Sequence, residues 1–327
     1  MTIPARVHFC WLGSSLPWAY VYAILSAAEN GGMQEIILHH TDPLTDDAAL
    51  RALELCPRVR LSQLEPIACL GAAGVAVGVG EALITIYRGL ESPATRADML
   101  RSAILYLEGG VYLDLDTVTT ASLAPLLETR QFVASERVIW PYSVRGSRSP
   151  AVWCRSLVLD LLRKAMRRTP SGWEMFRWVE GLCYRAVTNA VMGAEANSPL
   201  FARYLRAMAA MTPQRSAQLY ALGPDLLQEV VDQIPKNELT IEAPEVFCPL
   251  PPQISEHWFR VGRSVRLPAV LHAQTRVVHW YASVRTRAKV AAMDPHYVWK
   301  LHERQLYSAL VCRCVRSLPD LARARAA

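Results

Sequence analysis

The sequence contains no cysteine pattern of the kind that binds zinc or builds a disulfide framework. Its eight cysteines are scattered, and none forms a Cys-x-x-Cys pair. Cys312 and Cys314 have no further Cys or His nearby at zinc-ligand spacing. In a chain of 327 residues, scattered cysteines are typical of reduced thiols in a core. We therefore expect free thiols and a cytoplasmic protein.

Long apolar runs are also missing. The start of the chain has no basic region followed by an apolar stretch, so it does not resemble a signal peptide. The most apolar window, residues 67–80, is shorter than the roughly 20 residues that a membrane-spanning helix needs. This window is rich in Gly and Ala but lacks the G-x-G-x-x-G order of a dinucleotide-binding turn. We expect a flexible loop there and no transmembrane segment.

The charge balance is mild, with 35 Lys and Arg against 29 Asp and Glu and a net charge of +6. Such a surplus suits an anionic ligand or an acidic membrane without identifying either. The basic residues are spread out without interleaved aromatics, so no nucleic-acid partner is expected. The basic finish of the chain, at Arg316, Arg323 and Arg325, favours peripheral contact with a membrane surface.

What is present is a composition that is 52% hydrophobic, enough for one large core. The first hundred residues alternate between strand-like and helix-like segments, which predicts an α/β fold with helices on both faces of a parallel sheet. The predicted strands are 3–11, 35–39, 58–64 and 189–194, and the predicted helices are 18–29 and 45–55. Residues 151–233 are expected to be mainly helical, 241–268 irregular, 270–281 strands or an ordered loop, and 295–327 helical.

One segment carries most of the chemical information. Residues 95–107 fit a helix in which Thr95 is the N-cap, Asp98 and Arg101 share a face, and Gly109-Gly110 supplies the stop. Residues 111–118 then predict a continuous strand with Tyr112, Asp114 and Asp116 on one side. Two neighbouring carboxylates repel each other unless a cation lies between or beside them, so a divalent metal is expected.

Each of these residues also has an ordinary structural explanation. An Asp-x-Asp triplet alone is more often a solvated edge than a site, Asp98 alone a helix cap, and Arg101 alone a surface charge. Functional significance comes from the combination of helix, paired glycines, aromatic residue and two acids.

This combination resembles a known family. Asp98-x-x-Arg101, followed by Leu107-Glu-Gly-Gly-Val-Tyr-Leu-Asp-Leu-Asp116, resembles the sugar-binding DxD region of family 32 glycosyltransferases, a pattern shared with the large clostridial glucosylating toxins. The opening segment Ile3-Pro4-x-x-Val7-His-Phe-x-Trp-Leu-Gly13 resembles the first strand of the same family. The resemblance covers about the first 120 residues.

The resemblance implies a GT-A fold, in which a Rossmann-like mixed sheet is flanked by helices, here with a helical insert and a helical carboxyl terminus. It implies a nucleotide-diphosphate sugar donor (a UDP-sugar above all), Mn²⁺ or Mg²⁺, and transfer with retention. Asp116, Asp114 and Arg101 would be catalytic. The implied donor-binding residues are Trp11 (base stacking), Asp98 and Arg101 (ribose and sugar hydroxyls), Tyr112 and Asp114, and the implied metal ligands are Asp116 and Asp114.

Later motifs of the family are less regular in this chain. Asn189 lies in a segment that resembles the strand behind the acceptor site, and Leu222-Gly223-Pro224 resembles a Thr-Gly-Pro motif with Leu in place of Thr. Val278-His279-Trp280-Tyr281 resembles the loop that closes over the diphosphate. These two resemblances imply that Asn189, His279 and Trp280 also bind the donor and that His279 is a metal ligand.

The resemblance predicts a catalytic domain over residues 1–290 and a helical tail over 291–327. Within that domain, residues 1–135 would bind the donor and residues 136–290 the acceptor. Trp140-Pro141-Tyr142 is a candidate part of the acceptor cleft. The acceptor is a glycan, a lipid-linked sugar or a protein. The biological alternatives are bacterial polysaccharide or glycolipid synthesis, a toxin or effector that glycosylates a host protein, and an inactive nucleotide-sugar-binding protein.

Overall fold

The computed structural model describes residues 2–218, 220–282 and 286–324. Arg325, one of the basic residues of the tail, lies outside the described residues. The strands are β1 Arg6–Trp11, β2 Glu35–His40, β3 Val59–Gln63, β4 Gly110–Leu113, β5 Thr117–Thr119, β6 Gln131–Val138, β7 Tyr184–Ala194, β8 Thr240–Ile241 and β9 Val277–His279.

The α-helices include short single-turn segments as well as long elements. They are α1 Trp18–Asn30, α2 Ala48–Glu54, α3 Pro66–Val77, α4 Ala82–Gly89, α5 Pro93–Glu108, α6 Tyr142–Arg145, α7 Pro150–Met166, α8 Gly172–Arg177, α9 Pro199–Ala209, α10 Pro213–Ser216, α11 Pro224–Val231, α12 Pro244–Phe247, α13 Leu267–Val270, α14 Arg287–Val290, α15 Pro295–Leu301, α16 Leu306–Cys314 and α17 Leu318–Ala324. Three segments are 3-10 helices, at Ala124–Glu128, Glu180–Leu182 and Pro252–Phe259.

The main sheet has seven strands in the order β3-β2-β1-β4-β7-β6-β8. Strands β3, β2, β1 and β4 run parallel to one another, whereas β7 is antiparallel to both β4 and β6. Strands β5 and β9 form a separate antiparallel pair. The expected fold class is confirmed, since the sheet is mixed and helices flank it.

Two apolar cores cover the two faces of the sheet. Val7, Phe9 and Val111 point into one core, together with α1 and α16. Cys10 and Tyr112 point into the other, together with α3, α5, α9 and α11. Because strand residues alternate between faces, β1 and β4 contribute to both cores and fix α5 beside the carboxyl ends of the parallel strands.

The Gly/Ala-rich window 67–80 forms a helix, so the expectation of a flexible loop was wrong. Pro66 starts α3, and Leu70, Ala73 and Val77 face the core. Glycine at position 74 allows close packing, because a Cβ there would lie 2.2 Å from the carbonyl oxygen of Gly80. The spacing of the buried residues outweighs the low helix propensity of the glycines.

Two further expectations need correction in the middle of the chain. β7 is an eleven-residue strand that begins at Tyr184, five residues before the strand expected at 189–194. The expected strand 111–118 ends at Leu113, and residues 117–119 belong to the second sheet. The first residues of β7 did not look like a buried strand in the sequence, because Arg185 is charged and lies at the exposed end of the strand.

The helices near the carboxyl terminus pack on the same core as β1. Leu310 and Val311 of α16 are fully buried there, and α16 contacts α1 and β5. The domain boundary at residue 290 stays a prediction. Within the described residues, no helix is both long and apolar enough to cross a membrane. All eight cysteines lie in described parts of the chain and are free.

Candidate active site

Helix α5 brings Asp98 and Arg101 to the sheet edge. Its N-cap is Ser92, whose hydroxyl accepts a hydrogen bond from the Thr95 amide at 3.5 Å, so the assignment of Thr95 as the N-cap was wrong. Pro93 occupies the first turn, where a proline costs no hydrogen bond, and the helix therefore starts earlier. Arg101 lies one turn after Asp98, and their side chains are 3.3 Å apart.

The turn from α5 into β4 requires glycine twice. Gly109 and Gly110 have φ values of 65° and 110°. A Cβ on Gly109 would lie 2.6 Å from the amide of Ala196, and one on Gly110 would lie 3.0 Å from the carbonyl oxygen of Arg6. These two glycines let β4 enter the sheet directly beside β1. The position of β4 in turn determines where Asp114 and Asp116 lie.

The chain leaves the main sheet at the Asp-x-Asp triplet. The amide of Asp114 still donates to the carbonyl of Ala190 in β7 at 2.8 Å, and the Thr117 hydroxyl donates to the carbonyl of Asp114 at 2.7 Å. Thr117 then pairs with His279 in the β5–β9 sheet. This change of sheet places His279 next to the triplet although 163 residues separate it from Asp116.

Arg101 connects the helix to the acids. Its guanidinium is buried, lies 2.9 Å from Asp114 Oδ1 and donates to the carbonyl oxygen of Asn189 at 2.8 Å. It also stacks over the ring of Tyr112, 4.6 Å from the centroid, and the Tyr112 hydroxyl donates to Asp114 at 3.2 Å. The orientation of Asp114 is therefore fixed by two donors.

Asp98 and Asn189 form a second polar pair at the same edge. The Asn189 side-chain amide donates to Asp98 Oδ1 at 2.7 Å. Burial raises the pKa of Asp98 to about 6 although the nearby Arg101 acts to lower it. Gly223 packs against both side chains, because a Cβ at that position would lie 2.8 Å from Asp98 Oδ2.

Asp116 and His279 are in direct contact. His279 Nε2 lies 3.1 Å from Asp116 Oδ1, and Asp116 Oδ2 accepts from the Ala282 amide at 2.7 Å. Burial acts to lower the pKa of His279, but the carboxylate of Asp116 raises it well above its ordinary value. Ligand atoms of Asp114, Asp116 and His279 all lie within 4.8 Å of one another. This group of three side chains has the composition of a divalent-cation site.

Sequence reasoning missed a further carboxylate, Glu136 of β6. The Tyr281 hydroxyl donates to Glu136 Oε2 at 2.7 Å, and burial raises the pKa of Glu136. Tyr281 has a φ of 60°, a conformation that bulky residues rarely adopt, and its ring lies 3.9 Å from that of His279. The available sequence indication was an acid shortly after the apolar run at residues 132–134.

These groups line one cleft with a cavity volume of about 830 Å³. Asp98, Arg101, Asp114, Asp116 and His279 lie at the inner end, defined here as the donor end. The outer end is lined by two predicted groups, Trp140-Pro141-Tyr142 and Pro224, and by charged residues that the sequence did not single out. The latter are Arg145, Asp160, Arg163, Arg185, Asp225, Glu229 and Asp232.

Three predicted donor-binding residues are not among the residues that line this cleft. Tyr112 is buried beneath Arg101 and supports it. Trp280 is fully buried and packs edge-on against Phe259 and Tyr307. Trp11 ends β1, is half-buried, and lies against Tyr20 with ring centroids 5.3 Å apart.

Comparisons with known proteins bear on this geometry. A search of curated proteins finds no match. Among solved structures, the chain resembles the PaToxG glycosyltransferase (13% identity, 71% of this chain and 68% of that chain, TM-score 0.41). It also resembles the UDP-bound glycosyltransferase domain of the YGT toxin (12%, 74% and 80%, 0.39) and the galactosyltransferase LgtC in complex with donor and acceptor sugar analogs (13%, 88% and 95%, 0.40).

The similarity to these structures is too low to assign a donor or an acceptor to this chain. A protein-family model described as the glycosyltransferase sugar-binding region containing the DXD motif matches residues 80–133. The match contains α5, β4, the acidic triplet and the first residues of β6, which together supply most of the donor end. The expected resemblance is thereby confirmed for residues 80–133, which match the sugar-binding region containing the DXD motif.

Proposed function

We propose that this protein is a metal-dependent, retaining glycosyltransferase that uses a nucleotide-diphosphate sugar. The observation that carries the proposal is the convergence of Asp98, Arg101, Asp114, Asp116 and His279 on one cleft. The first four of these residues lie inside the segment matched by the family model, and His279 reaches them through β9. A UDP-sugar is the donor we propose to test first.

The side chains of Asp114, Asp116 and His279 fit a divalent cation. Carboxylate oxygens are the ligands that Mn²⁺ and Mg²⁺ prefer, and the imidazole of His279 favours Mn²⁺ over Mg²⁺. The carboxylate of Asp116 raises the pKa of His279 well above its ordinary value, against the effect of burial, so the two side chains are electrostatically matched. Asp114, Asp116 and His279 would hold the cation, which would supply charge neutralisation for the departing diphosphate.

The remaining residues of the donor end would bind and orient the sugar. Asp98 and Asn189 present a carboxylate and an amide that hydroxyl groups can contact, and Arg101 holds Asp114 in place. Trp11 is proposed to stack on the base from the end of β1. With retention, the leaving phosphate takes the proton of the acceptor, so no separate general base is required.

Hydrolysis of UDP-sugars with and without Mn²⁺ tests the proposal. Asp116→Asn keeps the size of the side chain but removes its charge, and we expect a loss of about a hundredfold or more in turnover, as for the removal of a group that stabilises transition-state charge. Asp46→Asn, an exposed carboxylate of a surface ion pair, is the matched control and should behave like the wild type. Equal turnover in the wild type and Asp116→Asn would contradict the proposal.

Retention has its own measurement. Proton NMR of the first-formed sugar product reports the configuration at the anomeric carbon before mutarotation. The donor configuration should be preserved in the product, and an inverted product would overturn this part of the proposal while leaving the donor site in place.

A further inference from the structure

Helix α7 has two faces of opposite character. Its inner face is buried, and Asp160 and Arg163 on this side line the outer end of the cleft. Its outer face is exposed and apolar, with side chains that are between 36% and 65% exposed and lie at positions i, i+4, i+5, i+8 and i+9, which places them on one stripe. The stripe consists of Trp153, Leu157, Val158, Leu161 and Leu162.

The neighbouring elements extend this apolar surface. Helix α8 contacts α7 and carries exposed Met175, and the residue after it, Trp178, is 90% exposed. Leu182 lies beside α7, because Arg155 of α7 donates to its carbonyl oxygen at 2.9 Å. We define the α7 face as the stripe together with Met175, Trp178 and Leu182. A soluble monomer rarely leaves so many large apolar side chains together in water.

The segment that contains the α7 face also carries the charge surplus of the chain, although Arg145, Arg163 and Arg185 of that segment line the cleft. Residues 145–185 contain nine Arg or Lys and three Asp or Glu, a surplus equal to the whole net charge of +6. The remainder of the chain is therefore balanced. Arg148, Lys164 and Arg168 are exposed there, and neither Arg148 nor Arg168 forms an ion pair within the described residues. An apolar stripe flanked by basic residues has the composition of an interfacial membrane helix.

We propose that the α7 face binds an anionic lipid bilayer surface. The leucines and tryptophans would enter the boundary between headgroups and acyl chains, and the flanking basic residues would contact the headgroups. A second copy of this chain is a poorer occupant, because two such faces would bring their positive surpluses together. The helix would lie in the surface plane, since no described helix is long and apolar enough to cross a membrane.

The position of the face specifies an acceptor class, an inference that rests on the proposed function. Trp153 of the stripe packs against Trp140, which lines the cleft, at a centroid distance of 5.3 Å. The outer end of the cleft therefore opens next to the docking surface. A lipid-linked sugar, with its lipid in the bilayer and its sugar in the cleft, is the acceptor that this arrangement fits.

Co-sedimentation with vesicles tests the docking surface. The full chain is mixed with vesicles of phosphatidylcholine alone or of phosphatidylcholine with phosphatidylglycerol. The wild type should bind only the anionic vesicles, and added salt should weaken binding. The double substitution Leu157→Glu with Leu161→Glu should weaken binding about tenfold or more, because it removes two apolar anchors and adds like charge. Leu55→Glu, at a leucine that is 81% exposed on α2, is the matched control and should bind like the wild type.

The outcomes separate the occupants. Failure of the wild type to bind anionic vesicles, or unchanged binding by the double variant, overturns the proposal. A dimer in light scattering that only the double variant abolishes, without vesicle binding, would assign the face to a second copy. Binding to an acidic polypeptide but not to vesicles would assign it to a protein partner.

Donor hydrolysis in solution keeps this test independent of the proposed function. The double variant should hydrolyse a soluble UDP-sugar like the wild type, whereas Asp116→Asn should still bind anionic vesicles. Transfer to a lipid-linked sugar acceptor in those vesicles, lost in the double variant and retained in Leu55→Glu, supports the acceptor class. Equal transfer by the double variant would contradict the lipid-linked acceptor inference.

Discussion

At the scale of single residues, ionised Asp98 at the donor end lowers the stability of the fold. Asp98 is buried with its carboxylate between Arg101 and Asn189, and its pKa is raised to about 6 from 3.8. Its folded-state pKa lies above the unfolded one, so the folded protein holds the proton more tightly. An ionised Asp98 therefore destabilises the fold at neutral pH, which is expected of a side chain kept for binding.

Replacing Asp98 by Asn should raise stability and lower activity together. The difference between the folded pKa of about 6 and the ordinary value of 3.8 corresponds to at most about 3 kcal/mol of unfolding free energy at pH 7.5. The wild type recovers this stability as the pH falls from about 6 towards 4, and the variant does not, so its advantage should shrink over that window. Thermal unfolding at several pH values measures this, and donor kcat/KM should fall about tenfold or more. A variant less stable than the wild type at pH 7.5 would contradict the assignment.

Gly223 offers a second test at the residue scale. In Gly223→Ala, the new methyl would lie 2.8 Å from Asp98 Oδ2 and 3.2 Å from Asn189 Nδ2, so the pair must move. We expect donor kcat/KM to fall about tenfold or more, because misplacing binding groups by a fraction of an ångström is costly. Gly181→Ala, where a Cβ meets no atom within 4 Å, is the matched control. Unchanged kinetics in Gly223→Ala would separate this pair from the donor.

At the scale of elements, the site depends on the place where β4 ends. Asp114 keeps one hydrogen bond to β7, and the chain then enters the β5–β9 sheet. The pairing of Thr117 with His279 brings the imidazole next to Asp114 and Asp116. A strand that continued through residue 118 would have carried Asp116 away from His279.

Trp280 tests whether the β9 loop acts through packing or through donor contact. Its side chain is fully buried between Phe259 and Tyr307. Trp280→Phe should lower the free energy of unfolding by about 1–3 kcal/mol, because the smaller ring leaves space in a packed core. Donor KM should not change. Denaturant unfolding and steady-state kinetics measure the two effects, and a raised KM at full stability would place Trp280 at the donor.

Local patterns predicted the donor half well and the rest less well. Paired glycines and helical spacing indicated α5 and the turn into β4, because those features act over a few residues, whereas the N-cap was misplaced from Ser92 to Thr95. The Gly/Ala window was misjudged, since packing of α3 against Gly80 decided its conformation. Glu136 and the antiparallel partner of Thr117 depend on contacts between distant segments, which periodicity does not report.

At the scale of the whole molecule, the cleft joins two surfaces of different chemistry. The matched segment supplies most of the donor end and β9 adds His279, whereas the outer end is built largely by the later, basic part of the chain. If the proposed function holds, donor and acceptor would enter the cleft from different ends. The family match covers most residues of the inner end and none of the charged residues of the outer end.

The central claim is that Asp114, Asp116 and His279 form a cation site that holds the diphosphate of the donor. Calorimetric titration of UDP into the wild type and into Asp116→Asn, each with and without Mn²⁺, measures this most directly. We expect wild-type binding to require Mn²⁺ and the Mn²⁺ dependence to be lost in Asp116→Asn. Wild-type binding of equal strength with and without the metal would contradict the account.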